Sequence, residues 1–329
     1  MLFRPILRLA AIASVLLATS APAAAQFSSL TVFGDSLSDS GNNALIIGAN
    51  GGQVISGNGY IPSQPYGSNT YSNGATWVSS FAAGIGLPAG AAPSLAGGGN
   101  YAYGGARTTL DGAMAGFPLS ATTQVGGFLA SAPPLLAGSG LVVIAIGGND
   151  VRDTGSAVAA DPANAISIIG AAAGAYATGV GNMVDALQAR GAVNIVVWGV
   201  PDVGRTPAAL AGGPAVAGTA TTISGAFNTA LQTRLAGESF GVRYFDLAAL
   251  VGTVIASPGS FGFNNVTDAC GALIGCDPAT FLFWDGIHPT SAAQAVVASA
   301  LLTAVPEPAS ALLMAMGVAA LVAARHRRG

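Results

Sequence analysis

The sequence predicts an α/β fold in which a parallel sheet is covered on both faces by helices. Three observations predict it. Apolar runs of strand length recur at Leu30–Phe33, Leu141–Ile146, Asn194–Val200 and Val242–Phe245. Leu141–Ile146 is a continuous run, as expected of a strand buried on both faces. Longer stretches with helical apolar spacing lie between the runs, which is the alternation that builds a parallel sheet.

Taken in order, the first strand ends at Gly34-Asp35, and Ser36 follows in the turn. In open α/β sheets ligands bind at that edge. Gly41–Ser72 is rich in Gly, Asn, Ser and Pro and reads as a long surface loop beside Ser36. Ala75–Ile85 is helical, Pro88–Gly99 is loop, and Asn100–Tyr103 is a short strand ending at Gly104-Gly105. Ala113–Pro134 reads as a second loop. Gly147-Gly148-Asn149-Asp150 closes the strand at Leu141–Ile146. Pro162–Arg190 and Thr221–Leu235 are helical, with Pro201-Asp202 breaking the strand between them. Ser291–Leu302 is the last helix, with Ser291 and Gln294 spaced as a capping box.

The termini have a different character. Residues 1–25 read as a secretory signal peptide: Arg4 and Arg8, an apolar Leu9–Leu17 core, and Ala23-Ala24-Ala25 before Gln26. At the other end Val305-Pro306-Glu307-Pro308 precedes an apolar run, Ala309–Ala324, and then Arg325-His326-Arg327-Arg328. Basic residues after an apolar run suit the cytoplasmic side of a membrane anchor. No composition shift interrupts 26–304, so one domain fills that span.

Only 8% of the 329 residues are charged, and none is lysine. The span 26–304 carries a net charge near −7, which does not suit a phosphate backbone and argues against nucleic acid as a partner. Cys270 and Cys276 lie close together, and export to an oxidising compartment suits a local disulfide. Half a metal site would also suit their spacing, but no histidine or second cysteine pair accompanies them, and no metal or cofactor is expected.

The chemistry converges on one imidazole. His326 belongs to the tail, so His288 is the only histidine of the mature domain. A histidine base for acyl-transfer chemistry would have to be His288, because lysine bases are absent. Asp285 stands three residues earlier across a glycine turn, close enough to fold back onto the imidazole. Ser36 is the candidate nucleophile. Candidate donors to an oxyanion are the Ser36 N–H, an N–H of the Gly104-Gly105 turn and the Asn149 amide.

Gly34-Asp35-Ser36-Leu37, Asn100–Gly105, Gly147-Gly148-Asn149-Asp150 and Asp285-x-x-His288 resemble, in order, the four blocks of the GDSL lipase/esterase (SGNH hydrolase) family. Ser72-Asn73-Gly74 before Trp77, Val200-Pro201-Asp202, Phe227-Asn228 and the Cys270–Cys276 loop before Phe283-Trp284 agree with it, so the resemblance covers nearly all of Ser28–Leu302. It implies a three-layer, flavodoxin-like α/β/α sandwich. It implies Ser36 as nucleophile, His288 as base and Asp285 as its partner. The oxyanion hole it implies is Ser36 N–H, Gly105 N–H and the Asn149 amide, with Gly104 the alternative if the register differs by one. The tail, residues 305–329, resembles the PEP-CTERM sorting signal of Gram-negative bacteria. That resemblance implies transient inner-membrane retention, processing by an exosortase-type enzyme after signal peptidase, and export to the surface or extracellular matrix.

Asp35 is expected to form the turn and not to act on substrate. The expected activity is carboxylic ester hydrolysis through an acyl-enzyme, on a lipid, a short-chain ester or an acetylated polysaccharide. The alternatives are an acyltransferase or a polysaccharide O-deacetylase using the same residues, and a non-catalytic matrix-binding protein.

Overall fold

The computed structural model describes residues 27–305, except 49–53, 61–64, 114–115, 134 and 239–240. The signal peptide expected at 1–25 and all but Val305 of the tail expected at 305–329 lie outside the described residues. In chain order the elements are β1 (Ser29–Gly34), α1 (Asn42–Ile47), α2 (Trp77–Gly84), α3 (Ala121–Ser131), β2 (Gly140–Ala145), α4 (Gly148–Ala160), α5 (Ala165–Ala189) and β3 (Ile195–Trp198). There follow α6 (Pro207–Ala211), α7 (Pro214–Leu235), β4 (Val242–Phe245), α8 (Leu247–Ala256), β5 (Asn265–Ala269), β6 (Phe281–Phe283) and α9 (Ser291–Ala304).

Strands β1 to β4 form a parallel sheet in that order. Asn100–Tyr103 is not a strand of its own. It lies along the outer edge of β1: Asn100 bridges Val32, and Tyr101 N and Tyr103 N donate to the carbonyls of Val32 and Gly34 at 2.8 and 3.2 Å. Counted as a rudimentary strand, it gives the flavodoxin-like order 2-1-3-4-5, whose switch point lies between β1 and β2.

Side chains alternate faces along each strand, and the two faces have separate cores. Phe33, Val142, Ile144, Ile195 and Val197 pack against Val125 of α3, Val180 and Leu187 of α5, and Ile223 and Phe227 of α7. Val32, Leu141, Val143, Val196 and Trp198 pack against Trp77 and Phe81 of α2, Leu247 of α8 and Leu301 of α9. These are the three layers of the expected sandwich. The segment Pro162–Ala189, which contains α5, is apolar and long enough to cross a membrane by composition, yet its Tyr176–Leu187 face is packed into the first of these cores. A second, two-stranded parallel sheet, β5 with β6, precedes the His288 loop.

The structure differs from the sequence reading at four further places. The cap of α9 is Thr290, whose side chain accepts from Ala293 N at 3.2 Å, so Ser291 is the first helical residue. Gln294 does not close a box; its side chain accepts from Trp77 N at 3.1 Å, tying α9 to α2. Ala113–Pro134 contains α3, and α4 and α8 are further helices for which no element was expected. Gly41–Ser72 opens with α1, and its Asn42, Asn43, Tyr66, Thr70, Tyr71 and Ser72 are buried, not surface residues.

Candidate active site

Ser36 stands just past the carboxyl end of β1, at the switch point. A pair of reciprocal bonds holds that end. Gly34 N donates to Gln124 Oε1 and Gln124 Nε2 donates back to Gly34 O, each at 2.9 Å. Asp35 then folds the chain: its carboxylate accepts from Leu37 N at 3.0 Å, and its carbonyl accepts from Ser38 N and Asp39 N. This is the turn-forming part expected of it. Burial pushes the Asp35 carboxyl up to about 6.

The His288 loop comes from the opposite end of the chain. Asp285 Oδ1 accepts from the backbone N–H groups of Ile287 and His288 at 2.7 and 2.6 Å, which curls the Asp285–His288 turn on its own carboxylate. Gly286 allows the segment before it to close in. Its N–H donates to Gly59 O at 2.6 Å, and a side chain at 286 would collide with the backbone of Asn58 and Gly59. The disulfide loop braces the same turn: Cys270 and Cys276 are bonded, with Cα atoms 5.6 Å apart, and Gly271 N donates to Trp284 O at 2.8 Å.

The two loops meet. Ser36 Oγ lies 2.8 Å from His288 Nε2, and His288 Nδ1 lies 2.6 Å from Asp285 Oδ2. All three residues are buried. Burial would raise the Asp285 carboxyl, but the charge and hydrogen bond of His288, with bonds from Tyr66 and the backbone, hold it below the usual carboxylate range. Tyr66 Oη donates to the same Oδ2 that faces His288. Tyr60 and Tyr71 flank the imidazole with ring centroids 5.5 and 5.4 Å away.

The donor side is equally ordered. Asp39 accepts from Gly41 N and Asn42 N at 2.8 Å and from Gly104 N at 2.9 Å, which ties the Ser36 loop to the Gly104-Gly105 turn. The Gly104 N–H is therefore taken. Gly105, in the left-handed region at φ 83°, and Ser36 each present a backbone N–H with no protein acceptor among the described residues. Asn149 lies in the first turn of α4, entered through Gly147 at φ 119°. One of its amide hydrogens donates to Ala106 O at 2.9 Å, and its Oδ1 accepts from Arg152 Nη1 at 3.4 Å, which leaves the second amide hydrogen for an oxyanion. The positive end of the α4 dipole points to the same region.

One cleft runs from these groups into the molecule. Asp35, Ser36, Asn149, Arg152 and His288 line its polar end. Trp77, Trp198, Val251, Val254, Phe263 and Phe283 line the remainder, between the sheet and α8 and α9. Among the described residues no group of three His, Cys, Asp or Glu side chains is placed to hold a metal ion. A buried serine, imidazole and carboxylate in line can pass a proton and leave an alkoxide-like nucleophile, and the unpaired N–H groups can receive the resulting oxyanion.

Sequence reasoning missed Gln124, Asp39, Tyr66 and Arg152. The first three act through contacts 65 to 219 residues away, which no local pattern marks. Arg152 carried a signal that went unused: it follows Asn149 by three residues on what proved to be a helix, so both point to one side.

The GDSL-like lipase/acylhydrolase family model matches residues 30–301, and the PEP-CTERM protein-sorting motif matches residues 304–328. Esterase EstA of Pseudomonas aeruginosa is 34% identical over 120 residues, covering 32% of this chain and 18% of that protein. Lipase 1 of Photorhabdus luminescens is 36% identical over 183 residues, covering 55% of this chain and 23% of that protein. The matches thus span only about a fifth of the length of these curated relatives. Among solved structures, Est24, a carbohydrate acetylesterase from Sinorhizobium meliloti, is 18% identical, with 84% of this chain and 96% of that chain covered and a TM-score of 0.44. Phospholipase A1 from Streptomyces albidoflavus NA297 is 20% identical, with 84% and 99% covered and a TM-score of 0.42.

Proposed function

The chain belongs to the GDSL-like lipase/acylhydrolase family, and from that premise we propose that it hydrolyses carboxylic esters through Ser36, His288 and Asp285 and favours acyl chains longer than acetyl. The observation that carries the reading is the buried line from Ser36 Oγ to His288 Nε2 at 2.8 Å and from His288 Nδ1 to Asp285 Oδ2 at 2.6 Å. In the first step Ser36 Oγ bonds to the ester carbonyl carbon and its proton passes to His288 Nε2. The negative oxygen is received by the N–H groups of Ser36 and Gly105 and the amide of Asn149. Collapse expels the alcohol, which takes the proton from His288, and leaves an acyl group on Ser36. Water, deprotonated by His288, attacks the acyl carbon and frees the acid and the serine. Asp285 holds the imidazole in one tautomer and stabilises its charged form.

The preference for longer acyl chains rests on the cleft. Its wall beyond the polar end is aromatic and aliphatic. Each methylene fully buried there contributes about 0.8 kcal/mol, or roughly fourfold in kcat/KM. With p-nitrophenyl esters, kcat/KM is expected to climb from acetate to hexanoate by about two orders of magnitude. A profile that falls from acetate onward would reject this preference and favour the polysaccharide O-deacetylase instead.

The reading extends to location. The PEP-CTERM motif supports export and surface or membrane association in a Gram-negative cell. On this proposal signal peptidase removes residues 1–25, an exosortase-type enzyme processes the tail, and the esterase acts at the surface or in the extracellular matrix.

A further inference from the structure

We propose that Tyr66 is a positioning residue for the proton relay: its phenolic O–H, donated to Asp285 Oδ2, sets the basicity of His288. The proposal rests on the triad reading above and adds a fourth member supplied by a distant segment.

The geometry gives Asp285 two differently used oxygens. Oδ1 is occupied by the backbone N–H groups of Ile287 and His288. Oδ2 is shared between His288 Nδ1 and Tyr66 Oη. The phenol therefore competes for the oxygen on which the imidazole depends. A donor there places positive charge beside the carboxylate and weakens its pull on a charged imidazole. The imidazolium formed when Ser36 gives up its proton is then held less tightly than it would be beside Asp285 alone.

Tyr66 is built to hold that place. Its N–H donates to Thr70 O and its carbonyl accepts from Asn69 N, both at 2.8 Å, in a tight turn closed by Asn69 at φ 63°. The edges of Trp284 and Tyr71 hold the ring, with centroids 6.4 and 6.5 Å away. Burial and the adjacent Asp285 charge push the phenol far above its ordinary range, so it remains a donor at every working pH.

The other groups facing the imidazole are the Ser36 hydroxyl, the rings of Tyr60 and Tyr71, and the Asp35 carboxylate, with the Arg152 guanidinium 4.0 Å above the Tyr60 ring. Asp35 favours a charged His288 and Arg152 opposes it. Neither bonds to Tyr66, so Tyr66→Phe leaves both in place. The variant also keeps the ring and its packing.

The experiment is the pH profile of kcat/KM for the full chain and its Tyr66→Phe variant, together with the proton NMR titration of His288. His326→Ala in both backgrounds assigns the resonance. Losing the donor is expected to raise the acid-limb midpoint and the His288 titration by about one pH unit, with KM unchanged. Well below the midpoint the variant is then about tenfold slower, and the difference shrinks towards the plateau. Superimposable titrations of a folded Tyr66→Phe protein would overturn the proposal. The NMR titration needs no turnover: a shifted His288 in a protein inactive on every ester would uphold Tyr66 and reject the esterase.

Discussion

Ser36→Ala and His288→Ala are each expected to lower kcat by about 10⁵-fold, with KM within about threefold of the unmutated chain. On the proposed mechanism the two side chains act on the carbonyl only in the chemical step, not in ground-state binding, so the loss belongs in kcat. On that mechanism Ser36 supplies the bond-forming oxygen. His288 supplies the only imidazole within 2.8 Å of it, and no lysine exists to replace it. Combining the two changes should cost no more than either alone, because one proton transfer needs both partners. Steady-state kinetics on p-nitrophenyl hexanoate checks this. A residual rate above about one hundredth in either variant is incompatible with the mechanism.

Asn149→Ala is the second large effect. It is expected to lower kcat by about 10² to 10³ and to leave KM nearly unchanged, the usual consequence of removing one donor to an oxyanion. The Asn149 amide is oriented on both sides, by Ala106 O and by Arg152. That preorganisation is what a donor needs to act on a charge that exists only in the transition state. The same variant loses its bond to Ala106 O, so thermal melting should accompany the kinetics. A drop in Tm with kcat intact would mean that Asn149 is a brace and not an oxyanion donor.

Much of this arrangement was legible in the sequence because its signals are local. Leu141–Ala145 is an apolar run buried along its whole length, and the short strand Val242–Phe245 buries Phe245. His288 stood out because the mature domain has no other imidazole, and its link to Asp285 spans only three residues. Where two readings were open, a long-range contact decided between them. The turn at Gly104-Gly105 could present either N–H; Asp39, from the Ser36 loop, takes that of Gly104 and leaves Gly105. The last helix could be capped by Ser291 in a box with Gln294, but Gln294 is drawn away to Trp77 and Thr290 is the cap. The helices α3 and α4 were hidden by Gly126-Gly127 and by Gly148-Asn149-Asp150, which read as turns until packing against the sheet overrides their low propensity. Tyr66 was invisible for a related reason. It sits in a Gly- and Ser-rich stretch with no periodicity, and its partner lies 219 residues away.

The central claim is that Ser36 is the nucleophile. Its most direct test is reaction of the folded full chain with a fluorophosphonate, followed by peptide mapping. A relay of this geometry predicts one modification per chain, on Ser36, lost in Ser36→Ala and slowed in His288→Ala. A chain that turns over esters yet carries the label elsewhere, or none, would contradict it.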